Sequence, residues 1–153
     1  MNQSQACCQD TAAQVSTLLD TNVLSELLRA APNRSVLAWF AGQAAEGLFV
    51  SAVTRAEMLL GARRLPAGKR RTALQAALRD MFEQDFAGRI LAFDSAAASA
   101  YADVVSTRRA AGRPISQFDA QIAAIALHHG TRLATRNGAD FEACAVVLVN
   151  PWL

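Results

Sequence analysis

Residues 17–22 read Thr-Leu-Leu-Asp-Thr-Asn, a short apolar segment that ends at a carboxylate. We predict that residues 17–20 form the end of a first β-strand, so that Asp20 lies at its carboxyl end. In open parallel sheets, ligands bind at this edge, near the point where the strand order reverses. Alternatively, Asp20 only leads into the next helix. Because Asn22 is available as the cap of that helix, we favour a functional role for Asp20.

After this stretch, short apolar segments alternate with longer helical segments, a pattern typical of a parallel sheet covered by helices. The further predicted strands are residues 48–51, 89–93, 132–135 and 145–149. The predicted helices are residues 22–30, 33–45, 54–66, 69–86, 94–111 and 116–129. The predicted fold class is therefore α/β: a three-layer α/β/α arrangement around a central, mostly parallel sheet of about five strands.

The length and composition predict one compact domain. The chain has 153 residues, of which 52% are hydrophobic, enough for a packed core. We predict that residues 1–16 are a flexible tail and that residues 17–153 form the domain. The tail lacks a basic segment followed by an apolar one, and no apolar run approaches the roughly 20 residues of a membrane span. We therefore expect a cytoplasmic protein without a membrane partner.

Cysteines and charge exclude some classes of function. Cys7, Cys8 and Cys144 have neither the number of a disulfide framework nor, with His128 and His129, the spacing of a zinc site. The net charge of +2 does not by itself indicate nucleic-acid binding. Fourteen of the 15 basic residues are arginines, and their clusters suit either phosphate contact or a solvated helix face.

Glu57 has two interpretations. Thr54-Arg55-Ala56-Glu57 is a capping-box sequence, in which Glu57 bonds back to the amide of Thr54. The same position places a carboxylate in the first helical turn after the second strand, at the ligand-binding edge of the sheet. Both interpretations stay open on the sequence alone.

Asp119 lies in a similar sequence, Ser116-Gln117-Phe118-Asp119. At helical spacing, however, it shares the apolar face with Ile115, Ile122 and Ala126. Burying an unpaired carboxylate costs several kcal/mol or forces it to take up a proton, and a bound cation removes both penalties. This placement favours a functional Asp119.

The remaining acids and the histidines are more easily explained structurally. Asp140 follows the fourth strand and can be a simple loop residue, whereas Asp94 is predicted to cap the helix after it. His128 and His129 suit the carboxyl end of their helix, which Gly130 ends. We assign neither histidine a catalytic role.

Together these segments resemble a PIN domain, and within that class the VapC toxins of bacterial toxin–antitoxin pairs, especially their FitB-like branch. The resemblance covers about residue 17 to the carboxyl terminus. It rests on five motifs in order, each weak alone: Leu18-Leu19-Asp20-Thr21-Asn22-Val23, Ser51-Ala52-Val53-Thr54-Arg55-Ala56-Glu57, Asp119-Ala120-Gln121-Ile122-Ala123-Ala124, Ala134-Thr135-Arg136-Asn137 with Asp140-Phe141, and Val149-Asn150-Pro151-Trp152.

The resemblance implies a metal-dependent endoribonuclease, the toxin of a type II pair, that hydrolyses RNA with Mg²⁺ or Mn²⁺. It implies that Asp20, Glu57 and Asp119 hold the metal and that Asp140 joins them in the catalytic set. The possible supporting residues are Thr21, Asn22, Thr135 and Asn137. The implied partners are an RNA substrate, a VapB- or FitA-like DNA-binding antitoxin and a second copy of the chain.

The chain departs from this family in two respects. About sixteen residues precede the first strand, which in the family usually begins close to the initiator methionine. The fourth acid of the family often falls where this chain has Asn137. Either Asp140 takes its place, or the site uses three carboxylates.

Other classes of protein also place acids at strand ends. An Asp-x-Asp phosphohydrolase needs a second aspartate where this chain has Asn22, and the lysine of that site has only Lys69 as a candidate. A receiver-type phosphoacceptor lacks its strand-end lysine for the same reason. The alternatives that stay open are an inactive PIN-fold interaction module and a housekeeping RNA-processing nuclease.

Overall fold

The structure, a computed structural model, describes residues 15–153, so nearly all of the predicted tail, with Cys7 and Cys8, lies outside the described residues. The strands within this range are β1 (Thr17–Leu19), β2 (Leu48–Ser51), β3 (Ile90–Leu91), β4 (Arg132–Ala134) and β5 (Leu148–Val149). The helices are α1 (Thr21–Leu27), α2 (Arg34–Ala41), α3 (Ala52–Arg63), α4 (Lys69–Asp80), α5 (Ser95–Ala110) and α6 (Gln117–His129). Each strand pair is parallel, which confirms the predicted α/β fold.

The sheet has the order β3-β2-β1-β4-β5, with β1 at its centre. Leu18 pairs with Phe49 of β2 on one side and with Leu133 of β4 on the other. The chain adds β2 and β3 on one side of β1 and then β4 and β5 on the other. The order therefore reverses between β1 and β4, and this switch point is where open α/β sheets bind ligands.

Helices cover both faces of the sheet. Successive side chains of a strand point to opposite faces, so strands made of consecutive apolar residues need a helix layer on each face. Leu19 of β1 packs in a core with residues of α1, α2, α3 and α4, whereas Leu18 packs in a second core with residues of α5 and α6. On β4, Ala134 and Leu133 divide between the two cores in the same way. The predicted three layers are confirmed.

Two predicted helix starts are wrong. Asp20, not Asn22, caps α1, because its side chain accepts a hydrogen bond from the amide of Thr21. Ser51, not Thr54, caps α3: its hydroxyl accepts from the amide of Thr54 at 3.0 Å. The helix follows β2 without a loop, so the strand's last residue serves as the cap and the proposed Thr54–Glu57 capping box is wrong. Glu57 is thereby released from that structural role.

Other helix ends agree with the sequence. Asp94 caps α5 by accepting from the amide of Ala97, and Ser116 caps α6 by accepting from the amide of Asp119. Gly130 ends α6 with φ of 64°, a conformation that favours glycine. Predicted helix 69–86 is instead α4 followed by a π-helical turn over Met81–Asp85.

The last strand is shorter than predicted. Residues 145–149 read as one strand, but Ala143 and Ala145 have φ of 62° and 58°, which an extended strand does not allow. The strand therefore spans only Leu148–Val149, and its pairing with β4 starts where the amide of Leu133 donates to the carbonyl of Val147. Among residues 15–153, no helix has both the length and the apolar character needed to cross a membrane.

Candidate active site

A pocket of about 540 Å³ opens at the carboxyl edge of the sheet, beside the switch point. We call it the acidic pocket. Its lining side chains come from the end of β1, from α1 and the turn after it, from α3 and α6, and from the segments after β4 and β5. They are Asp20, Thr21, Asn22, Ser25, Glu26, Arg29, Glu57, Asp119, Arg136, Asn137, Asp140, Phe141 and Trp152. All four acids singled out in the sequence therefore lie around one pocket.

Asp20 is the most buried of these acids, with 6% of its surface exposed. Its Oδ1 accepts from the amide of Thr21 at 2.8 Å, and its Oδ2 accepts from the hydroxyl of Thr135 at 2.7 Å. Thr135 in turn accepts from Asn22 Nδ2 at 3.3 Å and from the amide of Asn137 at 3.1 Å. All four predicted supporting residues thus fix the orientation of Asp20, either directly or through Thr135.

Glu57 is positioned by Thr21, one of the same supporting residues. The hydroxyl of Thr21 donates to Glu57 Oε1 at 3.3 Å and lies 3.0 Å from the hydroxyl of Thr54. A hydroxyl has one proton, so when Thr21 donates to Glu57 it accepts from Thr54. The buried Thr54 and the first residue of α1 therefore hold Glu57, a residue of α3, beside the end of β1.

Asp119 and Asp140 complete the acidic lining. Asp119 is half-buried in the first turn of α6, as expected for a residue on the apolar face of that helix. Asp140 is exposed, in the short 3-10 helix Gly138–Phe141, and its amide donates to the carbonyl of Asn137 at 3.0 Å. Asp140 is close enough to raise the pKa of both Asp20 and Asp119 by charge repulsion.

The carboxyl pKa values separate the pocket acids into two kinds. Burial raises the pKa of Asp20, Glu57 and Asp119, and repulsion between the acids adds to the effect. By contrast, Glu26 accepts from the amide of Asn33 at 2.8 Å, and this bond holds the pKa of Glu26 below its usual value. Glu26 therefore links α1 to α2, whereas hydrogen bonds, and Arg108 near Asp119, offset only part of the cost of charge on the other three acids.

The donor chemistry of the acidic pocket fits a divalent cation. None of the ion pairs found in residues 15–153 involves Asp20, Glu57, Asp119 or Asp140. Within the same residues, no three His, Cys, Asp or Glu side chains form a ready-made ligand group. Carboxylates that are too far apart to form such a group are still compatible with Mg²⁺, because that ion is usually held by one or two carboxylates and keeps several waters.

The sequence did not single out six further residues of the pocket lining. Ser25 and Glu26 lie three and four positions after Asn22 on α1, and Arg29 lies just beyond the end of that helix, so the spacing of the first two was an available signal. Arg136, Phe141 and Trp152 lie in segments quoted for the resemblance, but no role was assigned to them. Only the tertiary structure shows that the carboxyl-terminal Trp152 reaches the same pocket as Asp20.

The fold and the pocket together define a parallel α/β protein whose switch point opens into a pocket of carboxylates with raised pKa values. The chain belongs to the PIN domain family, which it matches over residues 17–146. It is 45% identical over 135 residues to a VapC ribonuclease of Sinorhizobium fredii, covering 88% of this chain and 96% of that one. It is 42% identical over 135 residues to the toxin FitB of Neisseria gonorrhoeae, covering 88% of this chain and 97% of FitB.

The three-dimensional comparison agrees with the sequence comparison. The structure superposes on a chain of FitAB bound to a DNA fragment with a TM-score of 0.85 and 42% identity. The match covers 90% of this chain and 96% of that chain. The predicted resemblance to PIN domains of the VapC and FitB type is thus confirmed.

Proposed function

We propose that this protein is a metal-dependent endoribonuclease and the toxin of a type II toxin–antitoxin pair. The observation that carries the proposal is the set of three carboxylates, Asp20, Glu57 and Asp119, which three separate elements bring to one pocket. Their raised pKa values mean that the folded protein holds negative charge at a cost, which a bound cation would remove. The names of the relatives, a VapC ribonuclease and a toxin, support the same activity.

We assign the metal, Mg²⁺ or Mn²⁺, to Asp20, Glu57 and Asp119. A divalent ion held by these residues would lower the pKa of a water molecule and would offset the charge of the scissile phosphate. Asp20 is held for this task by Thr21 and Thr135, so its orientation is set before the ion arrives. The hydroxyl of Thr21 does the same for Glu57.

The histidines are too distant to act as general bases in this site. His128 is nine positions after Asp119 on α6, which places it about 14 Å farther along the helix axis. It lies at the opposite end of the helix from the acidic pocket, so the residues of the pocket must orient the attacking water without it.

The partner is proposed from the relatives. The structural neighbour FitAB is bound to DNA, which supports a FitA- or VapB-like antitoxin that binds both this chain and operator DNA. The dimeric state and the cytoplasmic location stay predictions from the sequence. An inactive PIN-fold module and a housekeeping RNA-processing nuclease are the competing proposals.

Expression of this chain alone in a bacterial host is expected to stop growth, and coexpression of its antitoxin is expected to restore it. Asp20→Asn at the same protein level should permit growth, because the metal site has lost a negative ligand. Colony counts measure the first effect. Sequencing of the new ends in total RNA, incubated with purified protein with and without Mn²⁺, identifies the cleavage. Metal-dependent cleavage without growth arrest would favour the housekeeping nuclease, and no cleavage with any metal would favour the inactive module.

Asp140→Asn is expected to weaken Mn²⁺ binding and slow cleavage, but less than Asp20→Asn. Asp140 is exposed and lies at the rim, so solvent screens its charge more than that of the buried Asp20. Asn137→Asp should be tolerated and should tighten Mn²⁺ binding, because it adds a carboxylate to the same pocket. Titration of Mn²⁺ against both variants, with Asp103→Asn on α5 as control, measures these effects. Unchanged affinity and rate for Asp140→Asn would remove Asp140 from the site.

A further inference from the structure

Arg136 and Trp152 line the acidic pocket but have no role in the chemistry proposed above. The guanidinium carbon of Arg136 lies over the Trp152 ring, 5.3 Å from the ring centroid. This distance is within the range of a cation–π interaction. In such interactions arginine is the more frequent cation and tryptophan is the strongest aromatic partner. The pocket therefore contains an arginine held by an aromatic ring beside its carboxylates.

The backbone of Arg136 is tied to the proposed metal site. Arg136 directly follows Thr135, whose hydroxyl donates to Asp20, and the amide of Arg136 donates to Asn22 Oδ1 at 3.4 Å. The position of its Cα relative to Asp20 is thus set by the same network that orients that carboxylate. Only the long side chain needs a further support.

Trp152 provides this support from the other end of the chain. Its amide donates to Asn150 Oδ1 at 3.0 Å, Pro151 is buried, and its indole packs against the core that contains Leu19. The Asn150-Pro151-Trp152 turn therefore presents a rigid ring to the acidic pocket. This arrangement gives a physical reason for the carboxyl-terminal motif that the sequence singled out.

The side chain of Arg136 is exposed, although it lies close enough to Glu26 to help lower the pKa of that carboxyl. The other arginine of the pocket, Arg29, forms an ion pair with Glu26 at 3.3 Å. No ion pair found within residues 15–153 includes Arg136. Stacking uses the face of a guanidinium and leaves its in-plane N–H groups able to donate, which is the geometry that binds phosphate in a bidentate manner.

An RNA strand that enters the acidic pocket has a phosphate at every nucleotide, but a metal ion offsets charge only at the scissile one. The neighbouring phosphates meet the carboxylates without compensation unless a cation is provided. We propose that Arg136, held in place by Trp152, binds a phosphate of the RNA strand next to the scissile phosphate. The inference rests on the proposed function, since it names a residue that binds the RNA substrate of the same site.

Binding is tested in an Asp20→Asn background, where the RNA stays intact, with a short fluorescein-labelled single-stranded RNA of mixed sequence. Fluorescence anisotropy over a range of salt concentrations gives the affinity and its salt dependence. Adding Arg136→Ala should weaken binding about tenfold and reduce the salt slope by about 1. Arg79→Ala removes an exposed charge from the last turn of α4 and is the matched control, which should change neither value.

The role of Trp152 is tested by a double-mutant cycle. Trp152→Leu should weaken RNA binding while Arg136 is present and have little further effect when Arg136→Ala is also present. Thermal unfolding of each variant measures the separate loss of core packing. If Trp152→Leu weakens binding equally in both backgrounds, Trp152 contacts RNA itself and the positioning role is overturned.

Steady-state cleavage in the chain that retains Asp20 separates this inference from the proposed function. Arg136→Ala should raise KM about tenfold and leave kcat within about threefold. Cleavage with an unchanged KM and an unchanged RNA affinity would overturn the role of Arg136 and leave the nuclease proposal intact. A tighter Mn²⁺ affinity with unchanged RNA binding would show that Arg136 only offsets the carboxylates. Absence of both RNA binding and cleavage by the original chain would overturn both proposals.

Discussion

Asp20→Asn and Asp119→Asn are each expected to reduce RNA cleavage by more than about 100-fold while the protein stays folded. Loss of a group that merely supports a metal ligand typically costs about 10–100-fold, so loss of a ligand's charge should cost more. Asparagine has nearly the same shape as aspartate but cannot offset the charge of a cation. In Asp20→Asn the side-chain oxygen can still accept from the amide of Thr21, so the start of α1 should be preserved.

The measurement is the initial rate of cleavage of a fixed RNA at saturating Mn²⁺, with circular dichroism to verify the fold. Asp103→Asn removes an exposed carboxylate from α5 and is the matched control, for which we expect the original rate. Full activity in both pocket variants, or full activity of the original chain in EDTA, would contradict the metal mechanism. A large loss only in Asp20→Asn would exclude Asp119 from the metal ligands.

The overall fold could be predicted because the strands are short apolar runs between clear helix signals. Leu18 and Leu19 are both apolar, which is what a strand covered by helices on both faces requires. The start of the last strand was harder to predict, because the residue types at positions 143–145 do not indicate that Ala143 and Ala145 have positive φ. Alanine gives no sequence signal for such a conformation, whereas Gly130 does.

The candidate site was predicted less completely. Asp20 was found because it follows a strand at the edge where parallel sheets bind ligands. Asp119 was found because a carboxylate on an apolar helix face is costly unless a cation offsets its charge. Glu57 stayed ambiguous because the capping-box pattern at Thr54 competed with function, and only the observed cap at Ser51 removes that alternative. Trp152 could not be placed at all, since its approach to Asp20 depends on where β5 ends.

The contribution of Asp20, Glu57 and Asp119 to the stability of the metal-free protein is expected to fall as the pH rises from their unfolded pKa values through their raised folded ones. Their folded-state pKa values lie above the unfolded ones, so between the two the folded protein binds more protons than the unfolded chain. Stability then decreases with pH across that window. Glu26 and Asp94 have lowered pKa values and contribute stability above their unfolded pKa that is lost as the pH falls through the lowered folded value. A profile of overall stability against pH therefore combines contributions that fall with rising pH and contributions that increase with it.

Comparing the protein with its Asp20→Asn variant isolates the contribution of the pocket. In the metal-free state, the variant should lose less stability than the original chain as the pH rises, because it has one fewer uncompensated charge. Adding Mn²⁺ at about 100 times its dissociation constant should stabilise the original chain by about 2.7 kcal/mol. For a domain of this size that corresponds to a rise in Tm of roughly 5–10 °C. Asp20→Asn should reduce this rise strongly, because the ion has lost its most buried ligand.

Thermal unfolding in EDTA and in Mn²⁺, at several pH values, gives all of these quantities from one pair of proteins. Asp103→Asn again serves as the control and should follow the original chain. The Mn²⁺ effect should weaken at low pH, since protons and the metal compete for the same carboxylates. If Mn²⁺ raises the Tm of Asp20→Asn as much as that of the original chain, the ion binds elsewhere. The raised pKa of Asp20 would then be a cost of the fold with no role in metal binding.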